Sequence, residues 1–274
     1  MEELKKELVK EIAGMTYTQF VGYINQWNVP PGSLATINEW AIFGHVNQRS
    51  KVLELACTTG FSGREMSRMT GCSVLGIDIC KTSIESAKYC KEKYASDLDL
   101  HYINADACTY ELTEKFSHVI IGASLGFFER PLTMLKRLST FFWDTGYILA
   151  SPYYTSIEIP KELINECQHI IGITPTMCSY ETVRDLYQDF EIAYESRKVI
   201  EIESEAQMKR YTEDVINNCC KQKKITSNEV YDLLYKRLYE IKRVSNDLHK
   251  YQKYSVMVLR YFNKVYPNRF IELF

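Results

Sequence analysis

The sequence predicts an α/β protein with a parallel sheet, and three segments of the same kind support this prediction. Residues 51–60 combine a short buried strand with a turn of small and polar residues that opens a helix. An apolar strand over residues 73–77 ends in Asp78, and another over residues 101–105 ends in Asp106. In an open α/β sheet, strand carboxyl ends and helix amino ends meet at one edge, where ligands bind. We therefore expect the three segments to build one ligand site.

Acidic side chains at these strand ends indicate an adenosine-type ligand. Asp78 is placed to accept hydrogen bonds from both hydroxyls of a ribose, and Asp106 to accept from an adenine amino group. Glu54, in the first strand, offers a carboxylate to an ammonium group. Each acid alone is explained equally well as a solvated strand end or a helix cap, whereas the three together favour a common ligand.

In these three blocks the chain resembles the class I S-adenosylmethionine-dependent methyltransferases. The family's first turn reads acid-x-Gly-x-Gly-x-Gly, and residues 54–60 read Glu-Leu-Ala-Cys-Thr-Thr-Gly, so that Ala56 and Thr58 replace two of the glycines. Residues 76–88 and 104–107 are similar to the family's second and third blocks. Alanine and threonine still allow a tight turn there if their φ angles stay negative, although Thr58 crowds a backbone that must approach the ligand.

The resemblance implies a Rossmann-like fold and a cofactor. The fold is a seven-stranded, mostly parallel sheet with an antiparallel last strand, helices on both faces and helical cap insertions. The cofactor is S-adenosyl-L-methionine, and the reaction is methyl transfer. The residues that match the family's cofactor-binding positions are Glu54, Ala56, Cys57, Thr59, Gly60, Asp78, Ile79, Asp106, Ala107 and Ala123.

Beyond these blocks the chain carries segments that a minimal member of the family lacks. We divide it into an N-terminal helical arm or lid (1–50), a cofactor-binding core (51–154), a cap insertion (155–178), a continuation of the core (179–202), a helical cap insertion (203–250), and a last strand with the C-terminus (251–274). If the last strand is antiparallel, the arm and both insertions converge at the cofactor edge. Such a cap predicts an enclosed site for a small-molecule acceptor, not an open groove for a polymer.

Aromatic side chains and histidines near that edge are candidates for the acceptor site. The substrate-binding candidates are Tyr17, Tyr23, Trp27, Phe127, Tyr153 and Tyr154, although packing of the arm onto the core explains the first three equally well. Of the five histidines, only His169 and His249 belong to the ligand edge. We predict His169 and Tyr153 as catalytic residues, the alternative for His169 being a capping or surface role. For Arg64, we expect an ion pair with Glu65 on the helix surface.

Composition and charge argue against several other classes. The net charge of −2 gives no electrostatic reason to expect a nucleic-acid partner. No Asn/Asp-Pro-Pro-aromatic run follows the predicted fourth strand, residues 116–122, and this absence counts against a nucleobase acceptor. The chain also contains no run of eighteen apolar residues, so no membrane span is predicted. Nine cysteines without Cys-x-x-Cys spacing predict free thiols in a reducing cytoplasm and no metal. Self-association through the helical insertion stays open.

Two other functions compete with methyl transfer. An NAD-dependent dehydrogenase is disfavoured, because a dinucleotide pyrophosphate needs a Gly-x-Gly-x-x-Gly turn that the chain lacks. A non-catalytic protein that keeps this fold and either senses S-adenosylmethionine or supports a partner stays open, because two loop glycines are replaced and the sequence shows no clear base.

Overall fold

The computed structural model describes residues 2–263, with side chains from residue 6 onward. Within this part of the chain, one sheet contains eight strands: β1 (Lys51–Leu55), β2 (Ser73–Asp78), β3 (Leu100–Asn104), β4 (Phe116–Gly122), β5 (Phe142–Ala150), β6 (Tyr153–Thr155), β7 (Glu191–Val199) and β8 (Gln252–Phe262). The α-helices are α1 (Glu2–Gly14), α2 (Tyr17–Tyr23), α3 (Ser33–Phe43), α4 (Phe61–Thr70), α5 (Lys81–Tyr94), α6 (Pro131–Leu138), α7 (Lys161–Ile170), α8 (Tyr180–Asp185), α9 (Glu205–Lys223) and α10 (Asn228–Leu248).

The sheet has the predicted topology. Its order in space is β3-β2-β1-β4-β5-β8, and the pairs among the first five of these strands are parallel. Strand β8 is antiparallel to β5 on one side and to β7 on the other. The carboxyl ends of β1 to β4 therefore meet at one edge, which confirms the α/β fold with an antiparallel last strand.

The sheet has one strand more than the predicted seven. After β5, the chain breaks at Ser151 and Pro152 and then resumes as β6, which pairs with the first residues of β8. Because β7 covers residues 253–260 of β8 along the opposite side, β5 and β6 share one side of β8. Proline lacks the N–H that a continuous strand would use at this point. The sequence analysis did not predict this strand.

Helices cover both faces of the sheet, because successive strand residues are buried on opposite sides. In β4, Val119 and Ile121 belong to one hydrophobic cluster and Ile120 belongs to the other. The first cluster is completed by α6 and α8, and the second by α3, α4 and α5. Ile37 and Trp40 of α3, within the segment 1–50 that the sequence analysis proposes as the arm, lie in the second cluster.

A third hydrophobic core lies outside the sheet and unites segments that are far apart in sequence. It contains Ile12 of α1, Phe20 of α2, Cys167 of α7, Ile216 of α9 and Leu238 of α10. The arm and both insertions therefore form one packed unit, which we call the cap: α1, α2, α7, α9 and α10 with their connections.

Two predicted features concern membranes and the C-terminus. Over residues 2–263, no helix is both long and apolar enough to cross a membrane. The predicted C-terminal segment contains β8, and its residues 264–274 lie outside the described part of the chain.

Candidate functional site

The turn after β1 has left-handed backbone at three positions. The φ angles are 50° at Ala56, 48° at Thr58 and 67° at Gly60. The negative φ angles that would let alanine and threonine form a tight turn are therefore absent at Ala56 and Thr58. Left-handed backbone costs an L-residue with a side chain roughly 1–2 kcal/mol. The loop therefore adopts the backbone conformation that glycines favour, although alanine and threonine disfavour it.

Asp78 holds this loop in place from the neighbouring strand. One carboxylate oxygen accepts from the Thr58 N–H at 2.8 Å, and the other accepts from the Cys80 N–H at 2.8 Å. Burial raises the pKa of Asp78, and the two hydrogen bonds oppose that rise. Ile79, the next residue, has 73% of its surface exposed. The edge of the sheet thus presents an oriented carboxylate beside an exposed apolar side chain, a combination that suits a ribose and an adenine face.

Glu54 lies on the far side of the loop, under the amino end of α4. Its carboxylate is 4% exposed and accepts from the Gly63 N–H at 3.1 Å. Burial raises its pKa to about 7, against the Gly63 hydrogen bond and the nearby Arg64 guanidinium, which lower it. A side chain at Gly63 would place Cβ 2.6 Å from the Glu54 carboxylate. Glu54 thus secures the start of α4 in this structure.

The remaining predicted cofactor residues lie along the same edge. Asp106 is half-buried and accepts from the Cys108 N–H at 2.8 Å, while the Ala107 carbonyl accepts from Arg137 at 3.0 Å. Ala123 directly follows β4. Cys57 is buried, and burial raises the pKa of its thiol well above the ordinary value. It therefore contributes backbone to the loop and no reactive thiolate.

Asn104, which the sequence analysis missed, fixes the course of the chain after β2. Its side-chain amide donates to the carbonyls of Asp78 and Ile79, both at 2.9 Å. An amide two residues before the third acid was the only signal in the sequence.

The arm is hydrogen-bonded directly to the loop. The Asn28 N–H donates to the Thr59 hydroxyl at 3.3 Å, and the Asn28 amide donates to the Thr58 hydroxyl at 3.2 Å. The Thr59 hydroxyl in turn donates to the Gln26 carbonyl at 3.0 Å. Gln26 and Asn28 were not predicted, because no motif marks a contact between residues about thirty positions apart.

Arg64 and Trp27 anchor the arm from the outer side. The prediction of a surface position for Arg64 was wrong: its side chain is 1% exposed, although Nε does lie 3.5 Å from the Glu65 carboxylate. Nη1 donates to the Thr59 carbonyl at 3.2 Å, and the guanidinium carbon lies 5.4 Å from the Trp27 ring centre. Trp27 also contacts Phe61. Trp27 thus packs the arm onto the core, which is the alternative that the sequence analysis gave to substrate binding.

The predicted acceptor-site aromatic residues separate into two groups. Tyr17 and Tyr153 are half-buried neighbours, and burial raises their pKa values, that of Tyr17 to about 12. Tyr154 points to the opposite face of the sheet, where it is 5% exposed and contacts Tyr180, because adjacent strand residues alternate. Tyr23 lies under Lys223 of α9, whose Nζ is 4.1 Å from the ring centre.

Phe127 and the two ligand-edge histidines complete the predicted set. Phe127 lies in a short 3-10 helix after β4 and is 56% exposed. His169 is exposed in the last turn of α7, which is the surface position that the sequence analysis gave as its alternative. His249 follows α10 with Nδ1 buried and unpartnered within the described residues, and burial lowers its pKa.

Known proteins share this architecture. A family model described as a methyltransferase domain matches residues 52–142. The crystal structure of MccD protein matches with a TM-score of 0.69 and 30% sequence identity, over 85% of this chain and 99% of that one. An S-adenosylmethionine-dependent methyltransferase from Geobacter sulfurreducens, solved in complex with S-adenosylhomocysteine, matches with a TM-score of 0.65 over 88% and 96% of the two chains; at 13% identity, it shows the fold alone.

A curated relative matches over a shorter stretch. Sterol 24-C-methyltransferase from Clavispora lusitaniae is 34% identical over 62 residues, which are 23% of this chain. The chain spans only 16% of the length of that relative. The shared stretch, the family model and the full-length structural match agree with the strand-end acids and the loop described above. The chain therefore belongs to the class I S-adenosylmethionine-dependent methyltransferases.

Proposed function

We propose that the protein transfers the methyl group of S-adenosylmethionine to a small-molecule acceptor held beneath the cap. The observation that carries this proposal is the direct bonding of the arm to the cofactor loop, through Gln26 and Asn28 to Thr58 and Thr59. Because the arm also packs in the core of the cap, these bonds hold the cap against the cofactor loop, and we infer that the acceptor binds between them. Enclosed sites suit small ligands.

The residues at the sheet edge fit the cofactor. Asp78 has both oxygens oriented by backbone N–H groups and keeps lone pairs for two ribose hydroxyls. The exposed Ile79 would cover one face of the adenine, and the half-buried Asp106 would accept from its amino group. The left-handed turn at Gly60 lets the backbone of the loop pass close to a ligand.

The cofactor supplies an already activated methyl group, so the protein mainly aligns the acceptor and excludes water. We assign contact with the acceptor to Tyr153 and Tyr17, two neighbouring phenols that are contributed by β6 and by α2 of the cap. Burial and the Tyr17 phenol raise the pKa of Tyr153, so its hydroxyl stays protonated and donates a hydrogen bond; it does not act as a base. His169, exposed on α7, is left without support as a base.

Binding measurements test the cofactor assignment. We expect isothermal titration to show micromolar binding of S-adenosylmethionine and S-adenosylhomocysteine and none of NAD. Asp78→Ala should weaken S-adenosylhomocysteine binding by roughly thirtyfold or more, since it removes a carboxylate that accepts two hydrogen bonds. Asp99→Ala is the matched control, because Asp99 is an exposed acid at the opposite edge, bonded to His101. Equal affinities for the two variants would refute the assignment.

Turnover separates an enzyme from the alternative, a non-catalytic binding protein of the same fold. We expect labelled methyl groups to pass from S-adenosylmethionine to the low-molecular-mass fraction of a cell extract. Label in nucleic acid would overturn the acceptor class, and binding without transfer would favour the binding protein.

The proposal also covers the location of the enzyme and its self-association. All nine cysteines are free in the structure, which supports a reducing, cytoplasmic location. We expect any self-association to occur through α9 and α10. Light scattering, which measures the molecular mass in solution, detects it.

A further inference from the structure

Two residues of the cofactor loop, residues 56–60, have a backbone conformation that they disfavour by themselves. Ala56 and Thr58, which stand where the family's motif has glycine, have φ angles of 50° and 48°. Glycine adopts such angles readily, whereas a side chain makes them unfavourable. A residue in such a conformation persists only where the surrounding structure holds it. The loop therefore depends on groups outside it, more than a loop of glycines would.

Three other segments hold the loop in this conformation. Asp78 of β2 accepts from the Thr58 N–H, and Asn28 of the arm donates to the Thr58 hydroxyl. Arg64 of α4 donates through Nη1 to the Thr59 carbonyl at 3.2 Å. Because Thr59 has no surface exposed to solvent, its carbonyl needs a donor from the protein. Arg64 is that donor.

Arg64 also connects the loop to the arm. Its side chain is 1% exposed, and the guanidinium carbon lies 5.4 Å from the Trp27 ring centre and 5.6 Å from that of Phe61. These contacts orient the guanidinium, because it is attracted to the faces of aromatic rings. The arm is held in turn by the cap, since the Gln26 amide donates to the Tyr211 hydroxyl at 2.9 Å. A continuous set of contacts thus runs from the cap through Trp27 and Arg64 to the loop.

We propose that Arg64, held in place by Trp27, is a positioning residue that keeps the cofactor loop in its left-handed conformation and so takes the place of the two missing glycines. Without it, we expect the loop to relax toward the negative φ angles that alanine and threonine prefer. A ligand that binds only one conformation binds more weakly as that conformation becomes less populated. The contact between the arm and Arg64 therefore sets the affinity for S-adenosylmethionine. This inference rests on the proposed use of that cofactor.

Isothermal titration with S-adenosylhomocysteine tests this role in two backgrounds. Arg64→Met removes the donor and keeps an unbranched side chain to pack against Trp27 and Phe61. In the unaltered loop, it should weaken binding about tenfold, because a charged hydrogen bond that favours the left-handed conformation is lost. In Ala56→Gly, which makes left-handed backbone easier at one position, the same change should weaken binding only about threefold. Ala56→Gly alone should leave the affinity within about twofold, because the clamped loop is already in its binding conformation.

Arg68→Met is the matched control. Arg68 lies one turn further along α4 and also pairs with Glu65, at 3.3 Å. It donates to a carbonyl as well, but to that of Tyr94, outside the cofactor loop. We therefore expect Arg68→Met to change S-adenosylhomocysteine affinity less than about twofold in both backgrounds.

Trp27→Leu tests the same contact from the side of the arm, and it serves if Arg64→Met does not fold. Trp27 is 46% exposed, so its replacement leaves no closed cavity in a core. Loss of the ring that orients the guanidinium should weaken S-adenosylhomocysteine binding roughly threefold. Ala56→Gly should restore the affinity of this variant to within about twofold of that of the unaltered protein.

The comparison between backgrounds separates this inference from the proposed function. If Arg64→Met and Trp27→Leu weaken binding equally in both backgrounds, or in neither, the substitution of Arg64 for glycine is overturned and the proposed cofactor stands. If the unaltered protein does not bind S-adenosylhomocysteine, the proposed cofactor itself fails. A smaller loss in the Ala56→Gly background supports the inference, because a purely structural defect in α4 would not depend on the residue at position 56. Thermal unfolding checks that each titrated variant is folded.

Discussion

Replacement of Glu54 by glutamine should change how the stability of the protein depends on pH. Burial raises the pKa of the Glu54 carboxyl from its ordinary 4.5 to about 7 in the folded protein. Between these two pH values the folded protein keeps a proton that the unfolded chain has released. The free energy of unfolding therefore falls as pH rises through this window, and the loss is complete above pH 7.

The size of the effect follows from the two pKa values. A carboxyl whose pKa moves from 4.5 to about 7 on folding makes the folded state about 3 kcal/mol less stable above pH 7. Glutamine keeps an oxygen for the Gly63 N–H and does not ionise. Between pH 5 and pH 8, we therefore expect the free energy of unfolding of Glu54→Gln to rise by about 2–3 kcal/mol relative to the unaltered protein.

Urea unfolding followed by circular dichroism measures this difference at several pH values. Glu114→Gln is the matched control, since Glu114 is an exposed residue paired with Lys51; its stability should run parallel to that of the unaltered protein. If the stability of Glu54→Gln also runs parallel to that of the unaltered protein across the whole pH range, the buried carboxyl does not titrate as argued, and its placement under α4 is wrong.

Two further predictions concern the backbone of the cofactor loop. Ala56→Gly should stabilise the protein by about 0.5–1 kcal/mol in urea unfolding, because relief of left-handed strain exceeds the added entropy of the unfolded chain; a destabilised variant would contradict the φ of 50°. Gly60→Ala should destabilise by about 2 kcal/mol or more, because its Cβ would lie 2.5 Å from the Tyr102 hydroxyl at a φ of 67°. Gly126→Ala, with nothing within 4 Å of the added carbon, is the control and should stay within about 0.5 kcal/mol.

The sequence predicted the sheet better than the loop that lies on it. Each of the first three strands carries its own apolar run with an acid at or near its end, so local pattern was sufficient for the fold and for Asp78. The φ angle of Thr58 could not be predicted from its neighbours in the chain, because the Thr58 N–H is bonded to Asp78, twenty positions away. Burial of Arg64 likewise depends on Trp27, which reaches it from the arm.

The cap was predicted as a set of segments, without its contacts. Residues 203–250 were predicted as a helical insertion, but the partners of the apolar face of α10, which include α1 and α2, were not. Gln26 and Tyr211 are 185 residues apart, and no pattern in a single sequence marks such a pair. The alternation of strand residues was available for Tyr153 and Tyr154, and it would have separated them once β6 was recognised.

The shared core of the cap has a consequence for protein engineering. Ile12 and Phe20 near the N-terminus pack in the same core as Leu234 and Leu238, more than two hundred residues later. A chimera that receives only residues 203–250 from another member of the family would separate that insertion from the arm residues that pack against it. Acceptor preference should therefore move between relatives as a matched pair of distant segments, the arm with the insertion, and not as a single cassette.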